Sequence, residues 1–253
     1  MFADLDGKRV LVTGASSGLG AHFTAVLASH GARVVAAARR TDRLAALAEA
    51  CAGAKGEVLP LALDVASVAA VEAGVREVCE RLGGLDVLVN NAGVVESRRA
   101  LDIDEAGWDA QLDVNLKGCF FMAQAAARAM AGQETGGAIV NIASILGERV
   151  AAAVAPYAIS KAGLIQMTKA LALEWARHRV RVNALAPGYV VTDFNRDFFA
   201  SEPGEALVRR IPMRRPGDLD DLDGPLLLLC SDAGRYMTGS VLAVDGGHLV
   251  SGL

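Results

Sequence analysis

Short apolar runs recur along this chain, and all but the last are followed by a stretch with helical spacing. The runs are Lys8 to Val12, Arg33 to Ala38, Glu57 to Leu63, Leu85 to Val89, Ala138 to Ile142, Val180 to Leu185 and Val241 to Val244. They are continuous, whereas a strand with one wet face alternates apolar and polar residues. Helical patterns lie between them at His22 to His30, Thr41 to Ala52, Val68 to Leu82, Asp104 to Ala131, Pro156 to His178 and Asp218 to Ser231. Gly107 is expected to interrupt the fourth of these, and Pro225 to kink or restart the last. Strand–helix alternation with fully buried strands predicts an α/β, Rossmann-type, doubly wound parallel sheet of about seven strands with helices on both faces. No short repeat, low-complexity tract or linker divides the chain, so residues 1–253 read as a single domain.

Composition narrows the function. Apolar residues make up 53% of the chain and aromatics 5%, so the core must be built mainly of Ala, Val and Leu. A net charge of −4 leaves no electrostatic case for binding nucleic acid. No apolar stretch approaches the ~20 residues a membrane helix needs. The first residues, Met1 to Asp6, lack the cationic-then-apolar order of a signal peptide. Cys51, Cys79, Cys119 and Cys230 are scattered, without a Cys-x-x-Cys, and read as reduced thiols of a cytoplasmic protein. His22, His30, His178 and His248 show no ligand spacing. Asp218, Asp220, Asp221 and Asp223 read as a solvated helix start, so no metal is expected.

The notable residues fall just past strand ends, the edge at which parallel sheets bind ligands. Gly14, Ser16, Ser17, Gly18, Leu19 and Gly20 fill the first strand-to-helix turn with the spacing Gly-x-x-x-Gly-x-Gly. Such a turn lets backbone N–H groups approach a pyrophosphate, and the helix N-terminus behind it favours the negative charge. After the second strand stand Arg39 and Arg40, where an acidic residue would bind a ribose 2′-OH. An arginine there accommodates a 2′-phosphate, so NADP(H) is favoured over NAD(H). Tyr157 and Lys161, four residues apart on a helix, share one face. An ammonium beside a phenol lowers its pKa from about 10 and lets it exchange a proton near neutral pH.

Taken in order, Thr13 to Gly20, Asp64-Val65, Asn90 to Gly93, Asn115, Ser144, Tyr157-x-x-x-Lys161, Pro187-Gly188 with Thr192, and Asp245-Gly246-Gly247 resemble the short-chain dehydrogenase/reductase family in its single-domain form. The resemblance spans essentially the whole chain. It implies an oxidoreductase that interconverts a ketone or aldehyde and an alcohol by hydride transfer, on a small-molecule substrate. It also implies that Tyr157 is the general acid/base, that Ser144 holds the substrate oxygen, and that Lys161 holds the nicotinamide ribose and tunes Tyr157. Asn115 would support a water linking Lys161 to solvent. Asp64 and Val65 would meet the adenine, Asn91, Ala92 and Gly93 would turn beneath its ribose, and Pro187, Gly188, Val190 and Thr192 would meet the carboxamide.

Substrate choice is expected from the loops over the site, with a lid at about 189–216. Leu146, Arg149, Tyr189, Phe194 and Phe198 are the candidate substrate residues beside Ser144 and Tyr157. A 3-oxoacyl-acyl-carrier-protein reductase is the alternative, although Gln133-Glu134-Thr135 supplies none of the basic character that would dock an acidic carrier. A non-catalytic dinucleotide sensor is the alternative of another class, disfavoured because both Tyr157 and Lys161 are present. The family also implies a homotetramer or homodimer.

Overall fold

Strand β1 (Arg9–Thr13) is the axis of the sheet. It pairs in parallel on one side with β2 (Arg33–Ala38), Val10 facing Val34, and on the other with β4 (Val87–Asn90), Val10 facing Val87. The computed structural model describes residues 2–193 and 195–251. With β3 (Glu57–Ala62), β5 (Gly137–Ile142), β6 (Val180–Pro187) and β7 (Val241–Val244), the sheet has seven parallel strands in the order β3-β2-β1-β4-β5-β6-β7. Pro60 is tolerated in β3 because β3 is an edge strand, where a missing N–H costs little.

Successive residues of β1 point to opposite faces, and both faces are dry. Leu11 enters a core with Val71, Val75 and Val78 of α3 (Val68–Leu82), Met122 and Met130 of α5 (Cys119–Ala131), and Leu164 and Leu171 of α6 (Ala155–Trp175). Val10 and Val12 enter the other, with Phe23 and Leu27 of α1 (Gly18–Ser29), Leu44 of α2 (Thr41–Ala50), and Leu226 and Leu229 of α9 (Asp223–Cys230). The chain reverses its winding between β1 and β4, so a crevice opens at the C-terminal edge of the sheet there.

One expectation is corrected and one is met. Gly107 does not interrupt the long helical stretch: it lies in the first turn of α4 (Glu105–Leu112), its N–H donating to Asp104 Oδ1 at 2.7 Å. The break comes at Asp113–Gly118, a π-helical segment carrying Asn115. Gly118 closes it because a Cβ there would stand 2.5 Å from the Val65 carbonyl oxygen. Pro225 marks a restart of the helix, one of the two outcomes expected, and not a kink. A 3-10 turn, Leu219–Leu222, precedes α9, and Pro225 falls in the first turn of α9, where its missing donor has no intrahelical acceptor to lose. The segment 189–216 carries two short helices, α7 (Arg196–Phe199) and α8 (Glu202–Val208). Among the described residues no helix is long and apolar enough to cross a membrane.

Candidate active site

Local sequence shapes the first wall of the crevice. Gly14 has φ +67°, and a Cβ there would stand 2.8 Å from Ala92 Cα, so the turn after β1 can nest against the turn after β4 only with glycine. Thr13, fully buried, ties the two turns together: its Oγ1 accepts from the N–H groups of Asn91 and Ala92, both at 3.0 Å. Asn91 Nδ2 returns a bond to the Thr13 carbonyl at 2.9 Å. The cleft so formed, of about 350 Å³, is walled by Ser16, Ser17, Leu19 and Gly20 beside the N-terminus of α1, by Arg39 and Arg40 after β2, and by Asp64 and Val65 after β3, with Gly14, Asn91, Ala92 and Gly93 at its floor. Gly18 faces the Thr192 methyl at the junction with the next cleft.

Arg40 arches back over the turn. Its guanidinium donates to Ser16 Oγ at 2.9 and 3.2 Å and to Ser17 Oγ at 2.8 Å. A cation, two hydroxyls, a glycine cradle and a helix N-terminus together make a donor-rich surface fitted to the phosphates of a dinucleotide. Asp64 Oδ1 accepts from the Ala66 N–H at 3.1 Å, which turns the chain toward α3.

A second cleft, of about 490 Å³, shares Leu19, Asn91, Gly93 and Val94 with the first and is walled by Ser144, Leu146, Tyr157, Lys161, Tyr189 and Thr192. Ser144 caps the turn after β5, its Oγ accepting from the Leu146 N–H at 3.1 Å. Tyr157 and Lys161 lie on consecutive turns of α6. Lys161 is 4% exposed; its Nζ donates to the Ile142 carbonyl at 2.8 Å and stands 5.6 Å from the centre of the Tyr157 ring. The π segment delivers Asn115 beneath this pair. Its Oδ1 accepts from the Val94 N–H and its Nδ2 donates to the Val94 carbonyl, both at 2.8 Å. The side chain therefore clamps the turn after Gly93. Cys119, buried behind Lys161, has its thiol pushed up to about 11 by burial, with Lys161 acting the other way; at neutral pH it is no nucleophile.

Three residues that the sequence did not single out hold this arrangement. Thr13 shows in the sequence only as the residue that opens the glycine motif. Ser160 sits inside the Tyr-x-x-x-Lys stretch, donates to the Tyr157 carbonyl at 2.7 Å and accepts from Asn115 Nδ2 at 3.2 Å. Asn195 accepts from the Thr192 N–H at 2.7 Å and donates to the Val190 carbonyl at 2.9 Å, so it sets the Pro187-to-Thr192 segment. Only its place next to Thr192 hinted at that role.

Two substrate candidates are corrected. Arg149 does not line the cleft: its guanidinium is drawn to the C-terminal turn, donating to the His248 carbonyl and, at 3.0 Å, to Ser251 Oγ. Phe198 does not line it either; its ring is exposed and packs edge-on against Phe199. Phe194 lies outside the described residues. Leu146 and Tyr189 are on the wall of this cleft. The histidine and aspartates that showed no ligand spacing do meet: His22 Nε2 is 2.6 Å from Asp223 Oδ1 and 3.9 Å from Asp220 Oδ1, away from both clefts. A larger cleft of about 640 Å³, between Lys8, Arg179, Arg181 and Tyr236, opens at the opposite edge of the sheet and carries none of these groups.

A glycine cradle and a buried lysine beside a tyrosine, at the winding switch of a seven-stranded parallel sheet, define a dinucleotide-dependent oxidoreductase. The comparisons agree. A family model described as enoyl-(acyl carrier protein) reductase matches residues 14–248. The 2-dehydro-3-deoxy-D-gluconate 5-dehydrogenase of Escherichia coli (strain K12) is 37% identical over 251 residues, covering 97% of this chain and 96% of the relative. A 3-oxoacyl-acyl-carrier-protein reductase of Thermotoga maritima is 37% identical over 246 residues, covering 97% of this chain and 99% of the relative. The crystal structure of a gluconate 5-dehydrogenase from Burkholderia cenocepacia J2315, in complex with NADP and tartrate, superposes with a TM-score of 0.93 at 35% identity, covering 99% of each chain. The chain belongs to the short-chain dehydrogenase/reductase family. It is an NAD(P)-dependent oxidoreductase that interconverts alcohol and carbonyl groups on small molecules.

Proposed function

We propose that Tyr157 is the general acid in carbonyl reduction and the general base in alcohol oxidation, with NADP(H) the preferred cofactor. The observation that carries this reading is the buried Lys161, held by the Ile142 carbonyl over the Tyr157 ring at the point where the two clefts join. Bound along the first cleft, the dinucleotide supplies or accepts the hydride. Gly14, Ser17, Gly20 and the N-terminus of α1 receive its pyrophosphate, and Arg40 with Ser16 and Ser17 receives a 2′-phosphate. Asp64 and Val65 flank the adenine, and Val190 and Thr192, fixed by Asn195, meet the carboxamide.

In the reductive direction the substrate carbonyl oxygen lies between Ser144 and Tyr157. The Ser144 oxygen accepts from the Leu146 N–H, which orients the hydroxyl and leaves its proton free for the substrate oxygen. As negative charge grows on that oxygen, Tyr157 gives up its proton and Lys161 stabilises the phenolate. Asn115 fixes Val94 and Gly93 beneath the lysine, so the ammonium keeps its place as a proton passes outward.

The NADP in the similar gluconate dehydrogenase structure supports the cofactor choice. The resemblance to a 3-oxoacyl-acyl-carrier-protein reductase keeps that substrate as the second reading. Four unpaired cysteines fit a cytoplasmic protein, and Leu173 and Ile159, exposed on α6, fit assembly into a homodimer or homotetramer through that helix. The domain is read as one unit, with 189–216 as its lid.

The test is Tyr157→Phe. Turnover with a panel of ketones, alcohols and an acyl-carrier thioester is expected to fall by roughly 10²- to 10⁴-fold, the usual contribution of a positioned acid or base. NADPH binding, followed by fluorescence titration, is expected to survive. Turnover within a few-fold of the unaltered enzyme would remove Tyr157 from the reaction.

A further inference from the structure

Tyr189 is the first side chain after β6 and stands on the wall of the substrate cleft. Behind it lies a separate cavity of about 130 Å³, lined by Val190, Met213, Leu222 and Asp245. Tyr189 lines both spaces, so what packs against its ring bears on the shape of the substrate cleft. His248 is that neighbour: its imidazole packs on the Tyr189 ring with centroids 5.6 Å apart and planes inclined by 36°.

His248 is 5% exposed, and its Nδ1 is buried with no hydrogen-bond partner among the described residues. The ring is therefore held through its backbone. Arg149 donates to the His248 carbonyl and to Ser251 Oγ. Asp245 accepts from the N–H groups of Gly247 and Leu249, at 2.9 and 2.5 Å, and closes the turn. Burial, aided by the Arg149 and Arg210 charges and opposed by Asp245, lowers the pKa of the imidazole, so a neutral ring faces the phenol. Burial likewise raises the pKa of Tyr189, with Arg149 opposing and nearby Tyr157 adding. A phenol held in its protonated form is a hydrogen-bond donor.

Ser144 and Tyr157 already serve the reacting oxygen. A third donor on the same wall, close to Tyr157, needs a different oxygen. We propose that Tyr189 is a specificity-determining residue that donates to a second substrate oxygen, on the carbon next to the reacting carbonyl, and that His248 is the positioning residue that keeps it there. The substrate class is then the 2-hydroxyketones and the matching vicinal diols, in preference to plain ketones. A site built to hydrogen-bond a substrate hydroxyl discriminates against the analogue that lacks it, because its own donor is left unpaired. This inference rests on the assignment of Ser144 and Tyr157 to the reacting carbonyl.

The experiment compares acetoin with butanone, measuring kcat and KM separately. Wild type is expected to favour acetoin, and Tyr189→Phe to lose about tenfold in kcat/KM on acetoin, the scale of one hydrogen bond, mainly through KM. Butanone is expected to lose less than acetoin, so that the acetoin-to-butanone ratio of kcat/KM falls. His248→Leu is expected to move the acetoin-to-butanone ratio the same way, and His248→Phe, which restores a ring face, to bring it back. NADPH affinity serves as the check that each variant is folded. A ratio unchanged in Tyr189→Phe, or a wild type with no preference for acetoin, overturns the role of Tyr189 alone. A wild type that reduces neither ketone overturns the proposed substrate class, whereas turnover of Tyr157→Phe within a few-fold of wild type removes the underlying site assignment, and this inference with it.

Discussion

Thr13→Val tests whether the two turns of the cofactor cleft are held by one hydroxyl. Valine has nearly the same shape as threonine, so the change creates no cavity in the fully buried site. What it removes is the Oγ1 acceptor for the N–H groups of Asn91 and Ala92, each at 3.0 Å. The bond Oγ1 donates to the Val89 carbonyl, at 3.5 Å, is long and contributes little. The Ala92 N–H is buried and, left unpaired, costs about 1–3 kcal/mol; the Asn91 N–H keeps its bond to the Val89 carbonyl at 3.1 Å and adds little. The total is therefore roughly 1–3 kcal/mol. Thr13→Ser keeps the hydroxyl and gives up one buried methyl, so it should cost about 1 kcal/mol. Urea unfolding of the three proteins at fixed protein concentration, compared through midpoint and slope, measures these differences. NADPH affinity should fall in the valine variant and hold in the serine variant, because the Asn91-to-Gly93 turn floors the cleft. A valine variant within about 0.5 kcal/mol of wild type, or a serine variant equally damaged, would refute the reasoning.

Three further outcomes are expected. Arg40→Leu should raise the KM for NADPH roughly 10- to 100-fold, the value of hydrogen bonds to a charged group, and leave NADH nearly unchanged; equal effects on both cofactors would detach Arg40 from the 2′-phosphate. Gly118→Ala should destabilise the fold by about 1–3 kcal/mol through overpacking against Val65, seen as a lower urea midpoint, and a neutral result would mean that the π segment yields easily. For pH, burial lowers the His248 pKa below its ordinary 6.5, so the unfolded chain takes up this proton first on acidification. Its contribution to stability is therefore complete above pH 6.5 and is lost as the pH falls below that value. His248→Leu should lose less stability than wild type between neutral pH and pH 5, by urea midpoints at each pH; parallel losses would show that other groups govern the acid limb.

Much of this protein is legible without coordinates. The order of strands and helices follows from the spacing of apolar residues, and that spacing records the period of the backbone itself. For the same reason the glycine turn, Arg40, Ser144 and the Tyr157–Lys161 pair could be placed at the right edge of the sheet: each sits at the end of a local element whose direction is fixed by its neighbours. Tertiary structure decided what those side chains touch. Thr13 reaches Asn91 across a sequence gap of 78 residues, and His22 reaches Asp223 across 201. Arg149 could not be separated by sequence from an arginine facing substrate, and only the approach of the C-terminal turn shows that it binds the His248 carbonyl. The π segment at Asn115 was equally hidden, because the close approach of the Val65 carbonyl, which leaves no room for a Cβ at Gly118, comes from another part of the chain. Backbone periodicity is written in neighbouring residues, whereas a hydrogen-bond partner is chosen by whichever group the packed sheet brings within 3 Å.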